Sequence, residues 1–320
     1  MKYFFSLSLN ESTLLYASRG VGILLVVLAH IVAGPQNRYI YLFHMPLFFL
    51  LSGMAACKFS AWDLKSIAKR LIFLISPAVC AVLIVFLLAR INPLCFDVEF
   101  FKFSGCARFV FGDGGFSGVF SAFWFIPSIA ICYLLFFVTK KLPTPYLLVF
   151  LFLFVSLFFK YLVGLTYIPT LILSAIYGFQ FFLVGYLISY RFVQRLEFWF
   201  VLMALVFFLV AFLFDLDLDL AARNYGVPVF SSLLGLVFSL FFVKIIQFIS
   251  YSPGFLRSFS FFGQASLFIL LYHQAIHLAV DYLFPELPVF IIFLISFFVP
   301  VMFFYILSGR SKYFRYLGVK

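Results

Sequence analysis

Apolar runs of 18 to 23 residues recur ten times in this chain, at 13–33, 40–57, 71–90, 121–139, 146–164, 169–189, 197–214, 227–249, 264–284 and 287–307. A helix of that length crosses the roughly 30 Å hydrocarbon core of a bilayer. No water satisfies peptide groups there, so a spanning segment must be helical or belong to a closed barrel. Barrel strands alternate apolar and polar residues in short segments, whereas these runs are continuous. The expected fold is an all-α membrane protein, a polytopic bundle of about ten transmembrane helices. With 66% apolar and 10% charged residues, the chain is excluded from the water-soluble, secreted, fibrous and disordered classes. Lys2 leads a short aromatic and polar segment straight into the first run, with no small-residue cleavage site, so that run itself is expected to direct insertion.

A net charge of +11 suggests nucleic acid or an anionic membrane, but no nucleic-acid-binding motif occurs. The placement of the 22 Lys and Arg is more informative. With a cytoplasmic N-terminus, one side holds 15 of them, including Lys58, Lys65, Lys69, Arg70, Lys140 and Lys141, and the other holds six, with Arg19 inside the first run. Both termini are expected to be cytoplasmic. The whole of 1–320 reads as a single transmembrane domain with one sizeable outer loop, about 92–120, and no fused soluble domain or internal repeat. Cys95 and Cys106 share that loop and are either a disulfide or two separate thiols. The 215–226 loop, with Asp215, Asp217 and Asp219, reads as a solvated outer turn.

An ionisable group at membrane depth costs about 2.5 kcal/mol or more, so each one needs a reason. Lys160, Lys244, Glu197 and Glu286 lie near span ends, within reach of water. Arg19 and His30 do not. They are eleven positions apart in YASRGVGILLVVLAH, which on a helix is about 20° beyond three full turns and about 16.5 Å of rise. The two side chains therefore share a face, with Arg19 toward the cytoplasmic end and His30 toward the outer end. A guanidinium holds phosphate and keeps its charge. An imidazole takes a proton from an attacking hydroxyl and returns it to a leaving group. The alternative is an interfacial anchor and a packing histidine. Gly20 and Gly22 leave the backbone near Arg19 open to a ligand or a neighbouring helix.

His44 opens the second run just after a short connection, where it is a second site residue, half a metal site or a capping histidine. No further Cys, Asp or Glu completes a ligand set, so no metal is expected. Ser52 and Gly53 read as a small-residue packing contact. His273, His277 and Asp281 recur every four residues and stack on one helical stripe. Such a stripe must face protein or water, as a relay, an oriented histidine or a hydrogen-bonded seam.

Several segments together resemble the acyltransferase-3 family of integral-membrane O-acyltransferases, in particular its sugar O-acetylase-like branch. They are the Arg–ten residues–His pattern at Arg19 and His30, FHMPLFFLLSG at 43–53, the basic inner loop ending in Lys69 and Arg70, FWFIPSIAICYLLF at 123–136, YGFQFFLVGYLI at 177–188 and FGQASLFILLYHQ at 262–274. The resemblance implies a multi-pass enzyme of a bacterial inner membrane. It would carry an acyl group, usually acetyl, from cytoplasmic acyl-CoA (acetyl-CoA) to a hydroxyl of a cell-surface or lipid-linked saccharide, with both the glycan and the bilayer as partners. It also implies an essential His30, which the chemistry above makes the general base, and Arg19, Lys69 and Arg70 on the donor; the residue positions add His44 as a second catalytic candidate and Trp124 and His273 as candidate site-lining residues. The family's second Arg three residues after Arg70 is missing in KRLIF. The competing class is a lipid-linked sugar flippase or other secondary transporter, which also buries Arg and His but usually shows broken helices in repeated halves.

Overall fold

The computed structural model describes residues 11–32, 34, 37–57, 63–91, 118–142, 144–163, 168–188, 193, 195–216, 218–220, 224–250 and 252–308. Cys95, Cys106 and the side chain of Lys160 lie outside the described residues. In chain order the helices are α1 (Glu11–Ile31), α2 (Asn37–Ala56), α3 (Leu64–Ile91), α4 (Phe125–Thr139), α5 (Thr144–Val163), α6 (Thr170–Leu187), α7 (Phe198–Leu213), α8 (Pro228–Ile249), α9 (Pro253–Gln264), α10 (Ser266–Leu283) and α11 (Val289–Ser308), with a 3₁₀ turn at Gly118–Phe120 before α4. Each of the ten apolar runs falls on a helix, and eight helices among the described residues are long and apolar enough to cross a bilayer. The protein is an all-α polytopic membrane protein.

The structure adds one helix and redraws two segments. The short amphipathic α9 joins α8 to α10, with Pro at its first turn, where the missing N–H has no partner to lose. The Lys69–Arg70 pair is not in a loop. It lies inside α3, which begins at Leu64 because the Asp63 carboxylate caps it, accepting the Ser66 backbone N–H at 2.9 Å. Hydrogen bonds from the Ser66 side chain and backbone hold that exposed carboxyl below its usual range. The 215–226 loop is more than a solvated turn: Leu218, Leu220 and Tyr225 are buried. Ser174 Oγ donates to the Leu220 carbonyl at 2.8 Å, and Tyr225 packs against Tyr177 and Phe159. Outside this plug, Asp215 pairs with Arg38, whose guanidinium also lies 4.9 Å over the Tyr39 ring.

Between apolar helices the surrounding lipid gives no hydrophobic preference for contact, so close backbone approach carries the packing. At one crossing, Gly20 of α1 faces the Phe259 carbonyl and Gly263 of α9 faces the Tyr16 carbonyl. At another, Gly53 of α2 faces the Phe182 carbonyl and Gly185 of α6 faces the Leu50 carbonyl. A methyl at any of the four would meet main chain rather than a side chain that can swing aside. Gly263→Ala is therefore expected to force α9 off α1 at an overpacking cost of about 2–3 kcal/mol. The apparent melting temperature in detergent should fall by on the order of 5 °C, whereas Gly254→Ala, which meets nothing, should leave it unchanged. The remaining apolar surface, such as Ile72, Val79, Leu83 and Leu87 of α3 and Leu205 and Phe212 of α7, is exposed where a bilayer would cover it.

Candidate active site

A cavity of about 620 Å³ opens among α1, α2, α3, α4 and the α9–α10 junction. Arg19, Lys69 and Arg70 line it, and among the described residues no Asp or Glu does. The packing just described sets its walls. Gly20 and Gly263 draw α9 against α1, which brings Gln264 and Ser266 into the lining of the cavity. Arg19 Nη2 donates to the Leu51 carbonyl at 3.5 Å, and both Arg19 and Arg70 act electrostatically on Tyr133 of α4. Arg19 and Arg70 are half-buried, and Lys69 is exposed. Three cations around one mainly apolar chamber suit a ligand with a polyanionic head and a long uncharged arm.

Away from the cations the lining turns apolar, through Ile23, Met45, Phe48, Phe125 and Leu270. Met45 adjoins His44, and Leu270 lies three residues, or about 4.5 Å of helix rise, before His273. The chain has four histidines, and all of them gather beyond this end. His30 and His273 have ring centroids 5.3 Å apart, and His30 lies within electrostatic range of His44 and His277. The α1–α2 hairpin brings His44 in. Asn37 Nδ2 donates to the Ala29 carbonyl at 2.8 Å and to that of Val32, closing the C-terminus of α1 and fixing the turn. Tyr41 hydrogen-bonds the same Ala29 carbonyl at 3.4 Å and packs its ring 5.1 Å from that of His44.

Two of the four imidazoles have fixed tautomers. His44 Nδ1 lies 2.9 Å from the Ile40 carbonyl, and His273 Nδ1 lies 2.9 and 3.1 Å from those of Ile269 and Leu270. A carbonyl only accepts, so each Nδ1 carries the proton and each Nε2 a lone pair. Both rings are buried. His30 is half-buried, and among the described residues neither of its ring nitrogens is held by a hydrogen bond. Among the described residues no three His, Cys, Asp or Glu side chains are placed to share a metal ion.

The structure thus brings Arg19, Lys69 and Arg70 to one cavity and His30, His44 and His273 to one cluster beyond it. Trp124 is not among the residues lining the cavity: it is buried, 2% exposed, and its neighbour Phe125 takes the lining position. Sequence reasoning missed Tyr133, Gln264 and Ser52 as cavity residues. Of the Ser52–Gly53 pair read as a packing contact, Gly53 does pack against another helix, while Ser52 lines the chamber with its hydroxyl donating to the Phe48 carbonyl at 2.7 Å. A hydroxyl within an apolar helix is the signal that could have marked Ser52 and Tyr133; Gln264 sits in a more polar helix and carries no such signal.

A family model described as an acyltransferase domain matches residues 15–309, almost the whole chain. No curated protein and no solved structure matches it.

Proposed function

Because the chain belongs to the acyltransferase-3 family, we propose that this membrane acyltransferase moves an acetyl group from cytoplasmic acetyl-CoA to a hydroxyl of a glycan presented at the outer face of a bacterial inner membrane, with His30 as general base. The observation that carries this reading is the cavity itself. Its three cations lie at one end, no acid among the described residues lines it, and its apolar end stops beside Met45, next to His44, and about one helical turn before His273, whose ring faces His30. Arg19, Lys69 and Arg70 hold the phosphates of the donor. The uncharged pantetheine arm follows Ile23, Met45 and Leu270 toward the imidazoles, and the about 16.5 Å between Arg19 and His30 along α1 sets its reach.

The acceptor hydroxyl enters from the side of Tyr41 and His44. As its oxygen attacks the thioester carbonyl, its proton passes to His30. The tetrahedral intermediate collapses by breaking the carbon–sulfur bond, and the departing thiolate takes the proton back from His30, which leaves an O-acetyl ester and free CoA. Fixing both reactants in a closed bundle replaces a bimolecular encounter in water with an oriented reaction.

The test is to incubate purified protein in nanodiscs with acetyl-labelled acetyl-CoA and an envelope glycan fraction. Acyl transfer predicts glycan-dependent release of CoA thiol and label recovered as a sugar ester. A flippase or other transporter would leave the thioester intact, and that result would overturn the reading.

A further inference from the structure

We propose that His273 is the positioning residue of His30, accepting a hydrogen bond from one of its ring nitrogens and so aiming the other at the acceptor hydroxyl. The proposal deepens the acyl-transfer reading and rests on that reading for its kinetic arm alone.

The argument starts from what each nitrogen can do. His273 gives its Nδ1 proton to the Ile269 and Leu270 carbonyls, so its Nε2 can only accept while the ring is neutral. The residue is 0% exposed, and among the described residues its Nε2 has no hydrogen-bond partner. A buried acceptor left unmatched is rare in proteins and calls for an explanation. The ring facing it is His30, with centroids 5.3 Å apart and planes tilted by 46°. The two rings are not hydrogen-bonded as they stand, but centroids 5.3 Å apart leave a single N–H···N bond of about 2.9–3.0 Å within reach of a turn of the His30 ring.

A histidine base is ordinarily oriented by a carboxylate that accepts from its far nitrogen. Here the carboxylate on the same helical stripe, Asp281, is exposed and acts on His277 rather than on His30. The lone pair of His273 takes that place. When His30 receives the acceptor's proton, both its nitrogens carry hydrogen. One N–H then remains on His273 Nε2, and the other returns its proton to the departing thiolate. His44 has the same fixed tautomer, but it makes its ring contact with Tyr41 rather than with His30.

The experiment uses ¹⁵N-histidine-labelled full-length protein in nanodiscs. Because the chain has only four histidines, each can be assigned by single substitution. Wild-type protein should show His273 protonated on Nδ1 and His30 as one tautomer, and His273→Leu should turn His30 into an exchanging mixture of two. With acetyl-CoA as donor, kcat should fall about tenfold to a hundredfold in His273→Leu with KM unchanged, and His273→Gln, which keeps an acceptor oxygen, should recover most of the loss. A proton on His273 Nε2 in the wild type, an unaltered His30 tautomer in His273→Leu, or wild-type kcat in that variant would overturn the proposal. If His273→Leu does not fold, the wild-type tautomers and the Gln variant decide. If the wild-type protein transfers no acetyl group, the functional reading fails while the tautomer measurement still decides this one.

Discussion

His30→Ala is expected to lower acyl transfer by about 10²–10⁴-fold, the range that a positioned general base contributes, without reducing the amount of folded, membrane-inserted protein. The two halves of that prediction have separate grounds. The imidazole lies in the histidine cluster beyond the donor cavity, so in the proposed reading its loss removes the proton acceptor where the two substrates meet. Structurally the truncation costs little, because the ring is only half-buried and its one proposed partner, His273, is separately tied to the Ile269 and Leu270 carbonyls. His44→Ala is a useful contrast: it removes a fully packed ring and frees the Ile40 carbonyl, so its effect on folded yield should be the greater of the two. Label transfer and thermal denaturation, measured on the same preparations, check both.

The second large effect belongs to the cationic end. A hydrogen bond to a charged group is worth about 1.5–3 kcal/mol, or roughly 10- to 150-fold in affinity. Arg19→Ala should therefore raise the KM for acetyl-CoA by about that factor and change kcat less, since the phosphates stay far from the reacting bond. Arg19→Ala with Arg70→Ala should do more than either alone but less than their product, because both guanidiniums act on the same chamber and on the same tyrosine. Lys69 is exposed, and its replacement should have the smallest effect of the three and the one most easily masked by salt. A donor titration that is identical in wild type and the double variant would reduce Arg19 to a membrane-interface anchor.

Much of this was legible in the sequence, and the reasons differ between parts. The helices were readable because length and apolarity alone decide what crosses a bilayer. The common face of Arg19 and His30 was readable because it depends only on helix geometry. The approach of His273 to His30 was not, since nothing in one chain's pattern says that α10 lies against α1. The 215–226 loop misled because its three aspartates dominate the composition, although Leu216, Leu218 and Leu220 alternate with Asp217 and Asp219 as an inward–outward segment would. The helix α9 was missed because its twelve residues mix Arg, Ser and Gln with Phe, too short and too polar for a span. Trp124 and Phe125 are adjacent positions in one resembling segment, and choosing which of them faces a cavity needs the rotation of α4, which the segment does not encode.

The most direct measurement is an experimental structure of the protein with coenzyme A bound. The account predicts the phosphates against Arg19, Lys69 and Arg70, the pantetheine arm running past Ile23 and Leu270, and the sulfur ending beside His30, close enough that an acceptor oxygen held by that imidazole lies about 3–3.5 Å from a thioester carbon. Coenzyme A seated elsewhere, or lying in the cavity with its thiol turned away from the histidines, would contradict it.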